Sequence, residues 1–207
     1  MDYTGIISAV LVIAGILLVR NITNVLPSLF ACLLRWKECL NLENSMRLAI
    51  DRNIFAVYMI LPFCLTASGY RLYSPDFLSG LPPFTYFACI CGIFAGFDLL
   101  RFLSTRLIRR PKVGEKTFRA AFRTSASFFC IMASIVLAAS GICSFSGVSP
   151  DITRKILLYC ILAVYLVFLF RKFQIFKNTC SFFTAFLYLC VLEILPGGAL
   201  VLTAVFL

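Results

Sequence analysis

Apolar residues fall in long blocks separated by short basic or turn-rich stretches. A membrane-spanning helix needs about 20 mostly apolar residues, with a range of about 17–25. The blocks predict spans over residues 3–19, 54–70, 84–103, 124–145, 156–170 and 180–207. Pro62 sits inside the second block and should kink it. Pro196-Gly197-Gly198 should interrupt the sixth. Arg71 to Pro83 is rich in Pro, Gly, Ser and Tyr and reads as a loop. The expected fold is an all-α polytopic membrane bundle of about six transmembrane helices. It forms a single integral membrane domain over residues 1–207, with no sizeable soluble part.

Residues 20–53 follow another pattern. Leu26, Leu29, Phe30, Leu33, Trp36 and Leu40 recur at helical spacing, with Ser28, Arg35, Lys37, Glu38 and Asn41 between them. This stripe predicts an interfacial amphipathic helix over about 25–47, lying on the membrane. Trp36, the only tryptophan, suits the headgroup level. A separate span over 22–34 would have only about 13 residues, short for a crossing. The first block lacks the basic start of a signal peptide and carries Asp2 there, so it reads as a retained helix.

Composition agrees with a membrane location. The hydrophobic set makes up 61% of the chain and charged residues 14%, against about 25% charged in soluble domains. The formal net charge is +10. Once the spans are removed, no folded basic module is left to hold nucleic acid, so none is expected as a partner. Anionic lipid headgroups fit better, with Trp36, Arg109, Arg110 and Lys112 as contacts. Of 19 basic residues, 16, counting Arg101 at the end of the third span, lie at three loops that six spans would place on one face. Basic loops face the cytoplasm, so both termini are expected outside. The ten cysteines fall mostly within apolar blocks, form no Cys-x-x-Cys pair, and read as helix-packing filler.

Catalytic motifs are scarce. The chain has no histidine, which removes Ser-His catalysis and histidine-ligated metals. No phosphate loop or dinucleotide fingerprint occurs, and the nine acids are scattered. No cofactor and no metal are expected, and an enzyme would have little to work with. Two acids lie inside predicted spans. Glu193 should sit near the middle of the sixth, where a carboxylate costs about 2.5–3.5 kcal/mol on insertion scales. It should be protonated or paired, and Tyr188, Tyr165 and Tyr159 are candidate hydroxyl partners. Asp98 precedes Arg101 by one turn, so the two can pair locally. Helical rise places Asp98 and Glu193 roughly 12 Å apart in depth, which argues against direct contact. Ala88, Gly92 and Gly96, and also Ala126, Cys130, Ser134 and Ala138, form rows of small residues. Such rows suit close helix packing, within the monomer first and at a dimer face second.

The run Phe186-Leu-Tyr-Leu-Cys-Val-Leu-Glu-Ile-Leu-Pro196, with the layout before it, resembles an uncharacterised family of Bacteroidota membrane proteins, domain of unknown function 4271. The resemblance implies Tyr188, Cys190, Glu193 and Pro196 as signature positions, and a bacterial inner (cytoplasmic) membrane. It implies no activity. Three function classes follow, in order of preference. A membrane scaffold or accessory subunit of an envelope process would bind a membrane-protein partner and tolerate Glu193→Gln. A small proton-coupled carrier would need Glu193 to ionise. A protein handling lipid or polyprenyl-linked substrates would bind lipid near its basic loops.

Overall fold

Buried side chains show which helix lies at the centre. The computed structural model describes residues 3–75, 78, 80–107, 115–178 and 180–206. Helices α1 (Tyr3–Leu34), α2 (Trp36–Asn44), α3 (Met46–Gly69), α4 (Pro83–Leu107), α5 (Glu115–Phe145) and α6 (Pro150–Lys177) follow in order. The chain ends with α7 (Phe182–Leu189), a π-helical turn (Cys190–Ile194) and α8 (Leu195–Phe206). No strand occurs among the described residues. α5 is central and packs most extensively on α6 and α3. It buries Ala121, Phe128, Cys130, Ile131, Ala133 and Val136. Ala121, Cys130 and Ala133 are small enough for neighbouring backbones to approach, which drives helix association in lipid.

Among the described residues, six stretches are long and apolar enough to cross a membrane: Ile7–Leu34, Met46–Gly69, Pro83–Thr105, Ala121–Phe145, Pro150–Lys177 and Phe182–Thr203. The protein is a multi-pass, all-α membrane bundle. Its outward surface is apolar, with Leu17, Val57, Tyr159 and Phe183 among the exposed side chains.

Three elements differ from the sequence reading. The first span does not stop at Val19, and no interfacial helix covers 25–47. α1 runs unbroken to Leu34, about 48 Å at 1.5 Å per residue. The apolar stripe of its second half faces protein, where Val25, Leu29 and Cys32 are fully buried. The break comes at Arg35, whose backbone is extended (φ −138°, ψ 123°), and only the short α2 follows. A distant side chain finishes α1. The Arg171 guanidinium donates to the Leu33 carbonyl at 3.0 and 2.8 Å and to the Leu34 carbonyl at 2.8 Å. Those carbonyls lack partners within their own helix. Trp36 is half-buried against the main core, with the Lys37 ammonium 5.9 Å from its ring.

The second difference concerns the sixth span. α3 carries Pro62 inside one helix, and Thr66 Oγ1 donates to the Pro62 carbonyl at 3.0 Å. Pro196-Gly197-Gly198 does not interrupt the sixth span. The preceding turn widens into a π-helix, and the Leu195 N–H donates to the Cys190 carbonyl. This i→i−5 pairing takes up the irregularity that the missing Pro196 N–H creates. The third is the small-residue row of α4. Ala88, Gly92 and Gly96 are exposed, and a Cβ added at either glycine would meet nothing within 4 Å. The row packs against no other helix of the described chain, whereas Cys130 of the α5 row is fully buried.

Candidate functional site

α6 carries one buried face. Leu157, Val164, Phe168, Lys172 and Ile175 follow at spacings of seven, four, four and three residues, which puts Lys172 in the apolar stripe. Its ammonium is 1% exposed and pairs with Oε1 of Glu193, itself 3% exposed. Arg101 of α4 reaches the same oxygen. Its Nε donates at 3.1 Å and its Nη2 at 2.6 Å. Nη2 also donates to the Ser125 hydroxyl of α5. Three helical segments therefore meet at one carboxylate, and α5 joins them through Arg101.

Aromatic rings close the site. The Arg101 guanidinium carbon lies 5.9 Å from the Phe122 ring and 5.7 Å from the Phe168 ring, and Lys172 Nζ lies 5.4 Å from Phe168. Both cations thus meet a ring face as well as a carboxylate. A narrow gap beside Lys172, lined by Thr105, Phe122, Phe176 and Leu192, has no room for a free water. The site has two cations for one anion, and it is closed on the Lys172 side, while Arg101 stays 13% exposed.

The backbone of Glu193 is held too. Its carbonyl belongs to the π turn and accepts from the Tyr165 hydroxyl at 3.1 Å. Gly197, one turn on, makes room for that hydroxyl, since a Cβ there would lie 2.8 Å from it. The same device joins α1 and α3. The Tyr58 hydroxyl donates to the Leu11 carbonyl at 3.0 Å, and a Cβ on Gly15 would lie 2.6 Å from it. Each tyrosine ties two helices by a carbonyl and the glycine four residues later.

A polar layer crosses the bundle at this height. Ser125 and Ser127, two apart on α5, face opposite sides. Ser125 meets Arg101, and Ser127 accepts from buried Arg52 of α3 at 3.5 Å. Arg52 also donates to Asn53 Oδ1 at 2.8 Å. From Ser125, α5 runs on to Phe145, about 30 Å. α6 begins at Pro150, about 33 Å before Lys172. A hydrocarbon core is about 30 Å thick. The cations therefore stand near one boundary of the apolar slab, and their side chains reach inward to Glu193.

The chain matches the model of a domain of unknown function, DUF4271, over residues 3–202. It belongs to the DUF4271 family. No curated protein and no solved structure matches it.

In this DUF4271 chain the site residues read from the sequence are partly brought together. Glu193 and Arg101 meet. Asp98 does not pair with Arg101 as expected, because the guanidinium turns to Glu193 instead, though Asp98 stays within electrostatic range of both. Tyr165, and not Tyr188 or Tyr159, is the tyrosine that reaches Glu193, and it meets the carbonyl. Tyr188 stacks on Phe176 with centroids 5.8 Å apart, and Tyr159 faces outward. Cys190 opens the π turn, and Pro196 is buried just after it. Arg109, Arg110 and Lys112 lie outside the described residues. Lys172, Ser125 and Arg52 were missed. Lys172 had a signal, its place on the apolar face of α6 with Tyr165 and Phe168, but it reads as part of a basic loop end.

Proposed function

We propose that this protein is a scaffold or accessory subunit of the bacterial inner membrane, serving an envelope process, with both termini on the periplasmic side. One observation carries the reading: the Glu193 carboxylate, 3% exposed, is matched by cations from two other helices, and the gap beside Lys172 has no room for water. Such a network sets how the helices meet. The open small-residue row of α4 gives a membrane-protein partner a surface for close approach. Anionic headgroups are partners at the basic end.

A second reading, a small proton-coupled carrier using Glu193, draws on the π turn, since π-bulges recur at functional sites. Two measurements separate the readings. Affinity purification of the tagged chain in mild detergent should bring down a membrane protein in fixed ratio. Proton flux into proteoliposomes should be no greater with the protein than without. Flux that disappears in Glu193→Gln/Lys172→Met at normal membrane levels would overturn the scaffold reading.

A further inference from the structure

The groove between α1 and α3 holds polar chemistry that the Glu193 site does not use. Arg20 and Asn24 of α1, with Arg47, Leu48 and Asp51 of α3, line an open cleft of about 340 Å³. The contact of Tyr58 with Leu11 fixes the antiparallel register that sets Arg20 and Asn24 beside the start of α3. The Ser45 side chain makes no capping bond there, and the leading N–H groups of a helix have no partner inside it. Two guanidiniums, one amide and a helix N-terminus favour an anion, while Asp51 offers an acceptor at the side. The side chains sum to one positive charge.

The surroundings say which anion fits. Arg52, next to Asp51, belongs to the polar layer, so the cleft stands at the same boundary of the apolar slab. Two exposed apolar strips lead from it into the slab. Ile13 and Leu17 lie on the α1 face that carries Arg20 and Asn24. Ile50, Ile54 and Val57 lie on the α3 face that carries Arg47. A charged pocket at the boundary with apolar strips below it has the shape of an amphiphile.

Resting on the reading that anionic headgroups are partners at the basic end, we propose that this cleft binds the phosphodiester headgroup of an anionic phospholipid, with its acyl chains along the Ile13–Leu17 and Ile50–Val57 strips. Arg20 and Arg47 donate to the phosphate oxygens, in the forked geometry that guanidinium allows. The Asn24 amide adds a donor. Asp51 accepts from a headgroup hydroxyl such as that of phosphatidylglycerol.

The test uses the full chain in neutral detergent, with bound lipid counted by native mass spectrometry. The probes are phosphatidylglycerol and phosphatidylcholine with matched chains. The wild type should hold phosphatidylglycerol at least about ten-fold more tightly, because choline brings a positive charge beside the two guanidiniums and has no hydroxyl for Asp51. Arg20→Gln/Arg47→Gln should lose that preference, and Lys155→Gln, on an exposed site near the start of α6, should keep it. If the double variant melts early, the single variants carry the test, each with a several-fold loss. Equal binding of the two lipids, or undiminished preference in folded Gln variants, would overturn the proposal. So would displacement of the lipid by millimolar inorganic phosphate, which would make the cleft a site for free phosphate.

Discussion

Replacing Glu193 by Gln removes one negative charge and leaves two cations facing an amide. The sequence alone makes this change look mild, since Gln keeps the size and a hydrogen-bonding oxygen. The structure reverses that expectation. Lys172, 1% exposed, has Glu193 as its ion-pair partner, while Arg101 keeps Ser125 and two ring faces. Removing one member of a buried pair costs about 3–5 kcal/mol, because the stranded charge stays out of water. We expect a loss near the lower end, about 3 kcal/mol, since Arg101 is still 13% exposed and solvated in part. The second variant, Glu193→Gln/Lys172→Met, restores the original net charge and fills the lysine space with an apolar chain of similar length. It should lie within about 1–2 kcal/mol of wild type, since apolar replacement of a buried pair is often neutral. With about 1 kcal/mol lost in Lys172→Met alone, where Arg101 still pairs with Glu193, the coupling between the two changes should be about 2–3 kcal/mol. The buried cysteines supply the assay. Cys32, Cys64 and Cys130 are fully buried, so a thiol-reactive dye reports unfolding as each becomes accessible on heating or denaturant titration in detergent. A Glu193→Gln protein as stable as wild type would refute the reasoning. So would a double variant that loses the sum of its single losses.

Other outcomes follow from the same contacts. Gly197→Ala and Gly15→Ala should each cost about 1–3 kcal/mol through the clash of a Cβ with a tyrosine hydroxyl, and adding Tyr165→Phe or Tyr58→Phe should recover most of it in the dye melt. Arg171→Gln should cost about 1.5–3 kcal/mol and should raise the reactivity of Cys32 and Cys39 first, because the lost bonds finish α1 beside them. With both termini outside, a C-terminal alkaline phosphatase fusion should be active in cells, and an inactive fusion at normal levels would reverse the proposed orientation.

Membrane class and number of crossings were legible because a water-exposed fold has no use for apolar blocks of this length. The boundaries were less so. The stripe from Leu26 to Leu40 has the same periodicity whether it faces a bilayer surface or a protein core. Nothing local separates the two, and the contacts that decide come from α2, α5 and α6. Glu193 was legible because a carboxylate in an apolar block is costly wherever it points. Its partners were not. Arg101 sits one turn from Asp98, and a local pair looked sufficient; a guanidinium long enough to reach another helix had the stronger alternative. Depth estimates from straight helices also ignored side-chain reach, which brings cations from near the slab boundary to a deeper carboxylate. Pro196-Gly197-Gly198 read as a break because Pro and Gly weaken isolated helices. Here a single π turn takes up the defect, and Gly197 admits Tyr165.

Those contacts share a physical logic. In lipid, apolar side chains gain little by leaving bilayer for protein, so packing and polar contacts must choose the register of the helices. An apolar surface alone lets α1 slide along α3, since Val, Ile and Leu repeat on both. The Tyr58 hydroxyl on the Leu11 carbonyl is satisfied in one register only, because only Gly15 leaves it space. Tyr165, the Glu193 carbonyl and Gly197 do the same for α6 against the last span. Arg101 and Lys172 then fix that span against α4 and α6 through its carboxylate. A slip of one turn in any of these helices would strand a charge or drive a hydroxyl into a side chain. The costly groups in this chain are thus placed where each excludes an alternative packing, and that is the physical ground for reading the Glu193 layer as a lock.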